Sequence, residues 1–331
     1  MDGIDPVVGN DWYVVGRSRD IAAGMVQLVR LLGQDLVLWR SASGDVSLWR
    51  DRCPHRSVRL SVGHVSGNTL VCAYHGMAFG TDGQCVSVPA HPGFIPPNAC
   101  AQPYPVQERY GLIYTCLGTA PAEIPPFLEW DDPAFRCFVA GPYPIQANGL
   151  RAIENFLDVA HFPFLHEGIL GDRTLPHIEP YDVTLEPDGV HARNIRVWQP
   201  DPIGTGEGAQ VTYHYWAMRP LAAYLQKLNP TGESLTILLQ VTPVDEVNCI
   251  AWMLMGMNTA HEVPEAELVA FQDGIVQQDL ANLQAHNPQA LPLEGGLEFH
   301  VPSDRTSVFY RKWLKQLGLT YGVWRSPNSL T

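Results

Sequence analysis

Two short segments that each pair a cysteine with a histidine are the strongest constraint on how this chain folds. The first is Cys53-Pro54-His55-Arg56 and the second is Cys72-Ala73-Tyr74-His75. If the four side chains bind one metal centre, two separate loops must meet at one point. Glycines that allow the tight backbone of such loops accompany both segments, at Gly63, Gly67, Gly76 and Gly80.

Two thiolates and two imidazoles are the ligand set of a Rieske [2Fe–2S] centre, in which cysteines hold one iron and histidines hold the other. Neutral imidazoles raise the reduction potential of such a cluster. A Cys2His2 zinc site uses the same residue types. Zinc fingers, however, usually pair cysteine with cysteine and histidine with histidine, whereas each segment here carries one of each. The pattern therefore predicts a Rieske cluster held by Cys53, His55, Cys72 and His75.

A second set of metal-binding residue types lies downstream, in the pattern Asp158-x-x-His161-x-x-x-x-His166. Two histidines and one carboxylate form the facial triad of non-haem Fe(II) oxygenases, which leaves coordination positions open. Two histidines five residues apart are weak evidence alone, because such residues are more often core or surface histidines. Because these histidines follow a Rieske motif in the same chain, they predict a mononuclear iron that receives electrons from the cluster.

The third ligand of such an iron is expected on a helix predicted over residues 264–287. Pro264 suits a helix start, two glutamates suit the positive end of the helix dipole, and Pro288 stops the helix. Asp279 falls within the apolar stripe of this helix, where a carboxylate is costly unless it binds a cation or donors. Asp273 lies at the edge of the stripe and is the alternative ligand. The stripe is predicted to contain Leu268, Phe271, Ile275, Val276 and Leu283.

Composition limits the remaining classes of protein. The 331 residues are 46% hydrophobic and 17% charged, which predicts packed cores and room for two domains. We expect no signal peptide and no membrane span. The formal charge of −13 argues against nonspecific nucleic-acid binding. Seven cysteines, two of them assigned to the cluster, fit a reducing compartment, so a cytoplasmic location is expected.

The pattern of apolar residues predicts an α+β fold with two domains. The first third is β-rich, with strands expected at 26–32, 35–39, 46–49 and 106–116. A proline-rich crossover at 121–133 precedes strands expected at 181–185, 190–198, 211–218, 234–242 and 248–257. We predict an N-terminal all-β Rieske domain over residues 1–135 and a C-terminal antiparallel-sheet, helix-grip-like catalytic domain over residues 136–331.

The chain resembles the Rieske non-haem iron oxygenases over nearly all of its length, and within them the trimeric single-component monooxygenases. It is most similar to the saxitoxin-pathway Rieske hydroxylases and more distantly to methylxanthine N-demethylases. Two positions depart from the usual pattern, since Ala73 replaces a common proline and Met77 a common tryptophan. The stretches that carry the resemblance are residues 161–168, 170–173, 300–305, 310–314 and 319–322.

This resemblance implies the oxygenase component of a Rieske monooxygenase that forms a homotrimer. Such an enzyme uses O2 and takes electrons from a separate ferredoxin or flavin/iron–sulfur reductase that oxidises NAD(P)H. The favoured reaction is hydroxylation of a C–H bond in a small, polar, nitrogen-containing molecule such as a saxitoxin-like alkaloid. The alternative is oxidative N- or O-demethylation of a heterocyclic or aromatic compound. A remote alternative is an electron-transfer Rieske protein without oxygenase activity.

The resemblance also implies roles for residues outside the ligand sets. Asp158 is expected to carry electrons from His55 or His75 of the partner subunit to His161; the less favoured alternative is that it only caps or solvates its helix. Candidate substrate contacts are Phe156, Met253 and Met255. The alternative is that these side chains only belong to the hydrophobic core. Around the first cluster segment Arg52, Arg56 and Arg59 are candidates for docking an acidic reductase, or else form an ordinary solvated basic face.

Overall fold

The computed structural model describes residues 3–120, 123–202 and 206–325 and divides the chain into two compact units, Met1–Ile124 and Pro125–Thr331. The division falls within the predicted crossover, of which residues 121 and 122 lie outside the described part, and precedes the predicted boundary at 135. Residues after Pro125 pack within the second unit. The Phe127 ring lies 6.4 Å from the ring of Tyr224, and Glu129 accepts a hydrogen bond from the Tyr224 hydroxyl.

The first unit is built from small antiparallel sheets. In its described residues, the strands pair in the orders β1-β11-β10, β2-β3-β4-β9 and β5-β6-β7-β8. Its elements are α1 (Pro6–Gly9), β1 (Tyr13–Arg17), β2 (Val26–Leu31), β3 (Gln34–Arg40), β4 (Val46–Arg50), β5 (His64–Ser66), β6 (Thr69–Val71), β7 (Ala78–Gly80), β8 (Cys85–Ser87), β9 (Pro103–Tyr104), β10 (Val106–Arg109) and β11 (Leu112–Thr115).

The predicted hairpin near the N-terminus forms between β2 and β3, with Leu31 opposite Gln34. Its two-residue turn consists of Leu32 and Gly33, whose φ angles of 50° and 76° are both positive. Such a turn matches the right-handed twist of the strands, and glycine adopts this backbone without a steric penalty. The turn sets the register that places β3 in the core.

The second unit is organised around a long antiparallel sheet. Within its described residues the sheet has the strand order β12-β18-β17-β16-β15-β14-β13, and β19 and β20 pair separately. Its elements are β12 (Arg136–Ile145), α2 (Gly149–Leu157), α3 (Phe162–Leu165), β13 (Asp182–Glu186), β14 (Gly189–Gln199), β15 (Ala209–Arg219), β16 (Ala222–Leu228), β17 (Ser234–Asp245), β18 (Asn248–Met257), α4 (Glu265–Ala285), β19 (Leu291–Pro292), α5 (Arg305–Gln316) and β20 (Val323–Trp324).

Helix α2 is held in place by a network of buried ion pairs. Arg151 on this helix lies 3.1 Å from Glu154 and 2.8 Å from Glu298. Arg311 of α5 contacts both of these glutamates. Burial alone raises the pKa of Glu298, but the two guanidinium groups outweigh it and hold that pKa at about 2. Removing one partner from such a network leaves an uncompensated buried charge, so the network ties α2 to α5 and to Glu298.

Helix α4 differs in detail from the helix predicted over residues 264–287. Pro264 is its N-cap rather than its first helical residue, and the helix ends at Ala285. Phe271 was wrongly assigned to the buried stripe, since it is 59% exposed, whereas Val276 and Leu283 are buried. The buried face is narrower than predicted because the helix lies across the edge of the sheet.

The predicted α+β class is confirmed. The first unit is a β-domain, and the second places helices against a large antiparallel sheet. In the ranges that the structure describes, no helix combines the length and the hydropathy that crossing a membrane requires.

Candidate metal centres

The two Cys–His segments form backbone turns of the same kind. The amide of Ser57 donates to the Cys53 carbonyl at 3.0 Å, and the amide of Gly76 donates to the Cys72 carbonyl at 3.0 Å. Both donor residues have a positive φ, 60° at Ser57 and 68° at Gly76. Each turn therefore curls its backbone around its own cysteine, as the two halves of one binding site require.

In the two turns, the cysteine side chains are buried and the histidine side chains are exposed. Cys53 and Cys72 are each 2% exposed, while His55 and His75 lie at the surface with ring centroids 4.6 Å apart. Burial and the neighbouring Cys72 thiol raise the pKa of Cys53 to about 11, so the bare Cys53 thiol would stay protonated. A bound cation removes this penalty by stabilising the thiolates. Buried thiols and exposed imidazoles fit a cluster whose cysteine-bound iron is the inner one.

Met77, one of the two departures from the usual pattern, is accommodated in the structure. Its side chain is 5% exposed and packs in a hydrophobic cluster that includes Trp39, Trp49 and both cysteines. Its carbonyl accepts a hydrogen bond from the Cys72 amide at 2.9 Å. Ala73, the other departure, is exposed. Both residues are thus compatible with the folded cluster loops.

The three arginines predicted to dock a reductase are all exposed but differ in their contacts. Arg59 lies 3.0 Å from Asp35, and Arg52 donates to the Ser57 hydroxyl at 2.9 Å. The Arg56 side chain makes no ion pair or hydrogen bond within the described part of the chain. The docking role stays a prediction, with Arg56 as the arginine whose charge is available to a partner.

The assignment of Cys53 as a cluster ligand predicts that Cys53→Ser abolishes the Rieske-type EPR signal of the reduced protein. A hydroxyl is a much poorer ligand than a thiolate for iron of this kind. Cys85→Ser is the matched control, because Cys85 is buried in the same hydrophobic cluster but lies outside both turns. Retention of the signal in the first variant, or stoichiometric zinc in place of iron, would refute the assignment.

In the second unit, His161 and His166 flank the short helix α3 as its N-cap and C-cap. The His166 amide donates to the Phe162 carbonyl at 3.1 Å, which closes the helical turn between the two histidines. The turn brings their Nε2 atoms to within 3.3 Å of each other. A local five-residue spacing thus supplies two of the three ligands of a metal site.

Asp279 of α4 completes the group. Its Oδ1 lies 3.6 Å from Nε2 of His161 and 3.3 Å from Nε2 of His166. The Nδ1 atoms of both histidines face acceptor oxygens, so each ring carries its proton there and directs its Nε2 lone pair towards Oδ1. Oδ1 is buried and receives no hydrogen bond from the described residues. Three lone pairs this close repel one another unless a cation lies between them, so the donor set fits a mononuclear metal.

Asp273, the alternative ligand, lies elsewhere. Its carboxylate accepts a hydrogen bond from the Tyr143 hydroxyl at 2.7 Å and does not join the two histidines. Six residues separate the two aspartates, so they project from different sides of α4. The geometry therefore agrees with the preference for Asp279.

Asp158 contacts His161 as expected, but for a different backbone reason. The prediction placed both residues on one helical face, whereas α2 ends at Leu157 and Asp158 is its extended C-cap. The carboxylate accepts hydrogen bonds from the Ala160 amide at 3.0 Å and the His161 amide at 3.2 Å. Its Oδ2 also lies 2.9 Å from Nδ1 of His161. Asp158 thus caps the following turn and orients the imidazole at once.

Gln278 is a site residue that the sequence analysis missed. Its Oε1 lies 2.7 Å from Nδ1 of His166 and fixes that imidazole as Asp158 fixes the other. The residue directly precedes Asp279, so one turn of α4 supplies both a ligand and a ligand support. An amide next to a candidate ligand was the available signal, but nothing in the sequence shows which residue its side chain reaches.

The three converging atoms face an internal cavity of about 110 Å³. Phe156 and Met253 line it as predicted, whereas Met255 is buried outside the lining. Among its described lining residues, Asp279 carries the only carboxylate, and lysine and arginine are absent. Aliphatic and aromatic side chains dominate, chiefly Ile145, Phe162, Leu170, Tyr213, Tyr215, Leu225, Ile237, Leu239, Ile275 and Val276.

Comparison with known proteins identifies both units. Residues 11–105 match the Rieske [2Fe-2S] domain, and residues 145–320 match the vanillate O-demethylase oxygenase C-terminal domain. The chain belongs to the Rieske non-haem iron oxygenases. It is therefore an oxidoreductase that uses O2, with a [2Fe–2S] cluster in the Rieske domain and a mononuclear iron in the catalytic domain, as the cofactor prediction states.

Individual relatives agree with this membership. The chain is 33% identical over 293 residues to methylxanthine N1-demethylase NdmA of Pseudomonas putida, covering 87% of this chain and 82% of that protein. The structure of Pseudomonas putida CBB5 NdmA with caffeine aligns with a TM-score of 0.81 at 27% identity, covering 94% of this chain and 91% of that one. The fold is also shared by dicamba monooxygenase bound to dicamba. That structure is 24% identical and aligns with a TM-score of 0.77, covering 94% of this chain and 97% of that one.

Proposed function

We propose that this Rieske oxygenase removes a methyl group oxidatively from nitrogen or oxygen of a small aromatic or heterocyclic molecule. The observation that carries the proposal is the apolar cavity in front of His161, His166 and Asp279. Sequence analysis favoured hydroxylation of a polar alkaloid and kept demethylation as the alternative. The character of the cavity and the named activities of the relatives support the alternative.

The lining argues against a strongly cationic substrate. A buried guanidinium group needs a carboxylate partner, because burying an unpaired charge costs several kcal/mol. The one carboxylate among the described lining residues is Asp279, and it is assigned to the metal. A flat, uncharged ring instead gains from contact with side chains such as Phe156 and Tyr215, whose rings are 5.8 Å apart and nearly perpendicular.

Two uncharged polar side chains in the lining would orient such a ring. Gln272 of α4 is 5% exposed and uses its amide nitrogen on the Met253 sulfur at 3.3 Å, a weak acceptor. Its carbonyl oxygen accepts no hydrogen bond from the described residues. Asn155 of α2 presents a second amide. A substrate with ring carbonyls or ring N–H groups satisfies these amides, while its methyl group faces the metal.

The ligand roles follow from the geometry. Nε2 of His161, Nε2 of His166 and Oδ1 of Asp279 would hold the iron, which supplies the activation of O2 when it is bound. Asp158 and Gln278 keep both histidines in the Nδ1–H form that leaves Nε2 free to ligate. The mostly apolar lining offers water few hydrogen-bond partners. Insertion of one oxygen atom into the methyl C–H bond, with two electrons and two protons, releases formaldehyde, water and the demethylated product.

The electrons are proposed to come from another protein. The given sequence contains neither a plant-type ferredoxin cysteine run nor a Gly-x-Gly-x-x-Gly dinucleotide loop, which agrees with reduction of the cluster by a separate NAD(P)H-dependent reductase. The homotrimer and the role of Asp158 as a bridge between subunits are part of the same proposal. The likeness to saxitoxin-pathway hydroxylases stays a prediction.

A single-turnover experiment tests the proposed reaction without a reductase. The iron-loaded protein is reduced with dithionite, freed of excess reductant, and mixed with O2 and one candidate from a panel. The panel contains caffeine, N-methylated heterocycles, aryl methyl ethers and, as charged controls, cyclic guanidinium compounds. We expect at least one uncharged member to give formaldehyde and its demethylated product in equal amounts.

The nature of the product decides between the alternatives. Deuterated methyl groups should appear as deuterated formaldehyde, since the oxidised carbon is the one released. A hydroxylated product that keeps its methyl group, or turnover confined to the guanidinium compounds, would overturn the demethylase proposal in favour of the hydroxylase. Cluster reoxidation that never depends on an added compound would support the electron-transfer alternative.

A further inference from the structure

A second cavity of about 350 Å³ lies between α4 and β12, next to the metal-facing cavity. It is a surface cleft, since Pro142, Pro144 and Gln277 in its wall are exposed. Strand β12 changes register against β18 between Ala140 and Tyr143, and residues of this irregular stretch line the cleft.

The cleft and the metal-facing cavity share a wall that is one side chain thick. Of the described residues, Val276 alone lines both spaces, and it is 4% exposed. On either side of it, Ile275 lines only the inner cavity and Gln277 lines only the cleft. A rotation of the Val276 side chain or a small displacement of this turn of α4 would connect the two spaces.

We propose that the cleft is the vestibule through which substrate reaches the metal-facing cavity, with Val276 as the gate. This inference rests on the proposed function only in naming the substrate as a small, mostly apolar ring. Val269, Leu280 and Pro142 give the vestibule apolar walls suited to such a ring. The hydrogen bond from Tyr143 to Asp273 spans the cleft and ties α4 to β12 beside the gate.

The sequence of α4 also suits local opening. Gly274 lies inside the helix between Asp273 and the gate, and a Cβ placed there would meet nothing within 4 Å. No close packing therefore requires a glycine at this position. Glycine in a helix interior weakens the helix, because it loses more backbone freedom on folding than alanine does. The turn that carries Val276 is thus less stable than it would be with alanine at position 274.

Access to the inner cavity can be measured without substrate or turnover. Ala251 lines the inner cavity and is 2% exposed, so Ala251→Cys places a thiol behind the gate. The probe is methyl methanethiosulfonate, a small neutral reagent, and labelling of the introduced thiol in the folded, metal-loaded protein is followed by peptide mass spectrometry. We expect Val276→Ala to accelerate labelling and Val276→Phe to slow it, each by about fivefold or more, as local opening would control the rate.

Three controls make the result specific. Ile275→Ala makes a change of similar size on the same helix but touches only the inner cavity, so it should leave the rate unchanged. Val269→Cys places a thiol in the cleft itself, which should be labelled rapidly whatever residue occupies position 276. Gly274→Ala should raise the melting temperature and slow labelling behind the gate. Far-UV circular dichroism and the Rieske spectrum confirm that each variant is folded.

The vestibule proposal would be overturned if proteins with valine, alanine or phenylalanine at position 276 were labelled at equal rates. It would also be overturned if the inner thiol were not labelled before the protein unfolds. A change with Ile275→Ala as large as with Val276→Ala would also overturn it, since the shared wall would then have no special role. A higher melting temperature without slower labelling in Gly274→Ala would contradict the opening of α4. Because the assay involves no catalysis, its outcome is independent of whether formaldehyde is formed in the turnover experiment.

Discussion

Asp279→Ala is expected to lose the mononuclear iron and to reduce turnover by more than about 100-fold, because even loss of an outer-shell partner costs roughly 10- to 100-fold. The substitution removes one of three converging ligand atoms and leaves two neutral imidazoles. The Rieske spectrum should persist, since the cluster is held by Cys53, His55, Cys72 and His75. Iron analysis should fall from about three to about two irons per chain.

Asp273→Ala is the matched control on the same helix. It removes the hydrogen bond from Tyr143, with an expected cost of about 1 kcal/mol in the free energy of unfolding. The full iron content should remain, because this carboxylate does not face the two histidines. If the two variants exchanged their iron contents, Asp273 would be the ligand and the assignment of Asp279 would be wrong.

Asp158→Asn is expected to retain both metal centres and the oligomeric state but to slow electron transfer to the mononuclear iron by about 100-fold. The amide has the same shape, yet it lacks the charge that binds Nδ1 of His161 and that is proposed to connect this histidine to a cluster histidine of the partner subunit. The measurement is single turnover, in which reoxidation of the reduced cluster is followed after substrate and O2 are added.

The choice of asparagine separates this role from simple capping. Asparagine caps a helical turn about as well as aspartate does, so a purely capping Asp158 would give normal reoxidation in the variant. Asp172→Asn is the control, because Asp172 caps the Thr174 amide at 2.7 Å and contacts no metal-binding histidine. Normal reoxidation and product yield in Asp158→Asn would exclude the bridge. Loss of iron would instead show that Asp158 supports the metal site.

Much of the fold was predictable because it depends on local sequence. The apolar pattern predicts the β2–β3 hairpin with a turn at Gly33-Gln34, one position after the observed Leu32-Gly33 turn, and the long strands of the second unit appear near their expected positions. The end of α2 was not predictable in this way. The helix stops at Leu157, and its position depends on ion pairs that Arg151 and Glu154 make with Glu298 and Arg311, which are distant in the sequence.

The candidate site likewise has features set by local sequence and features set by long-range packing. The sequence by itself determined the ligand types and their local spacing, because a turn after each cysteine and a single helical turn between His161 and His166 are set by neighbouring residues. Only the tertiary structure decided which aspartate of α4 completes the group, that Gln278 orients His166, and that Met255 stays outside the cavity. These outcomes depend on how α4 packs against the sheet, and long-range packing depends on the shapes of many side chains that no local pattern contains.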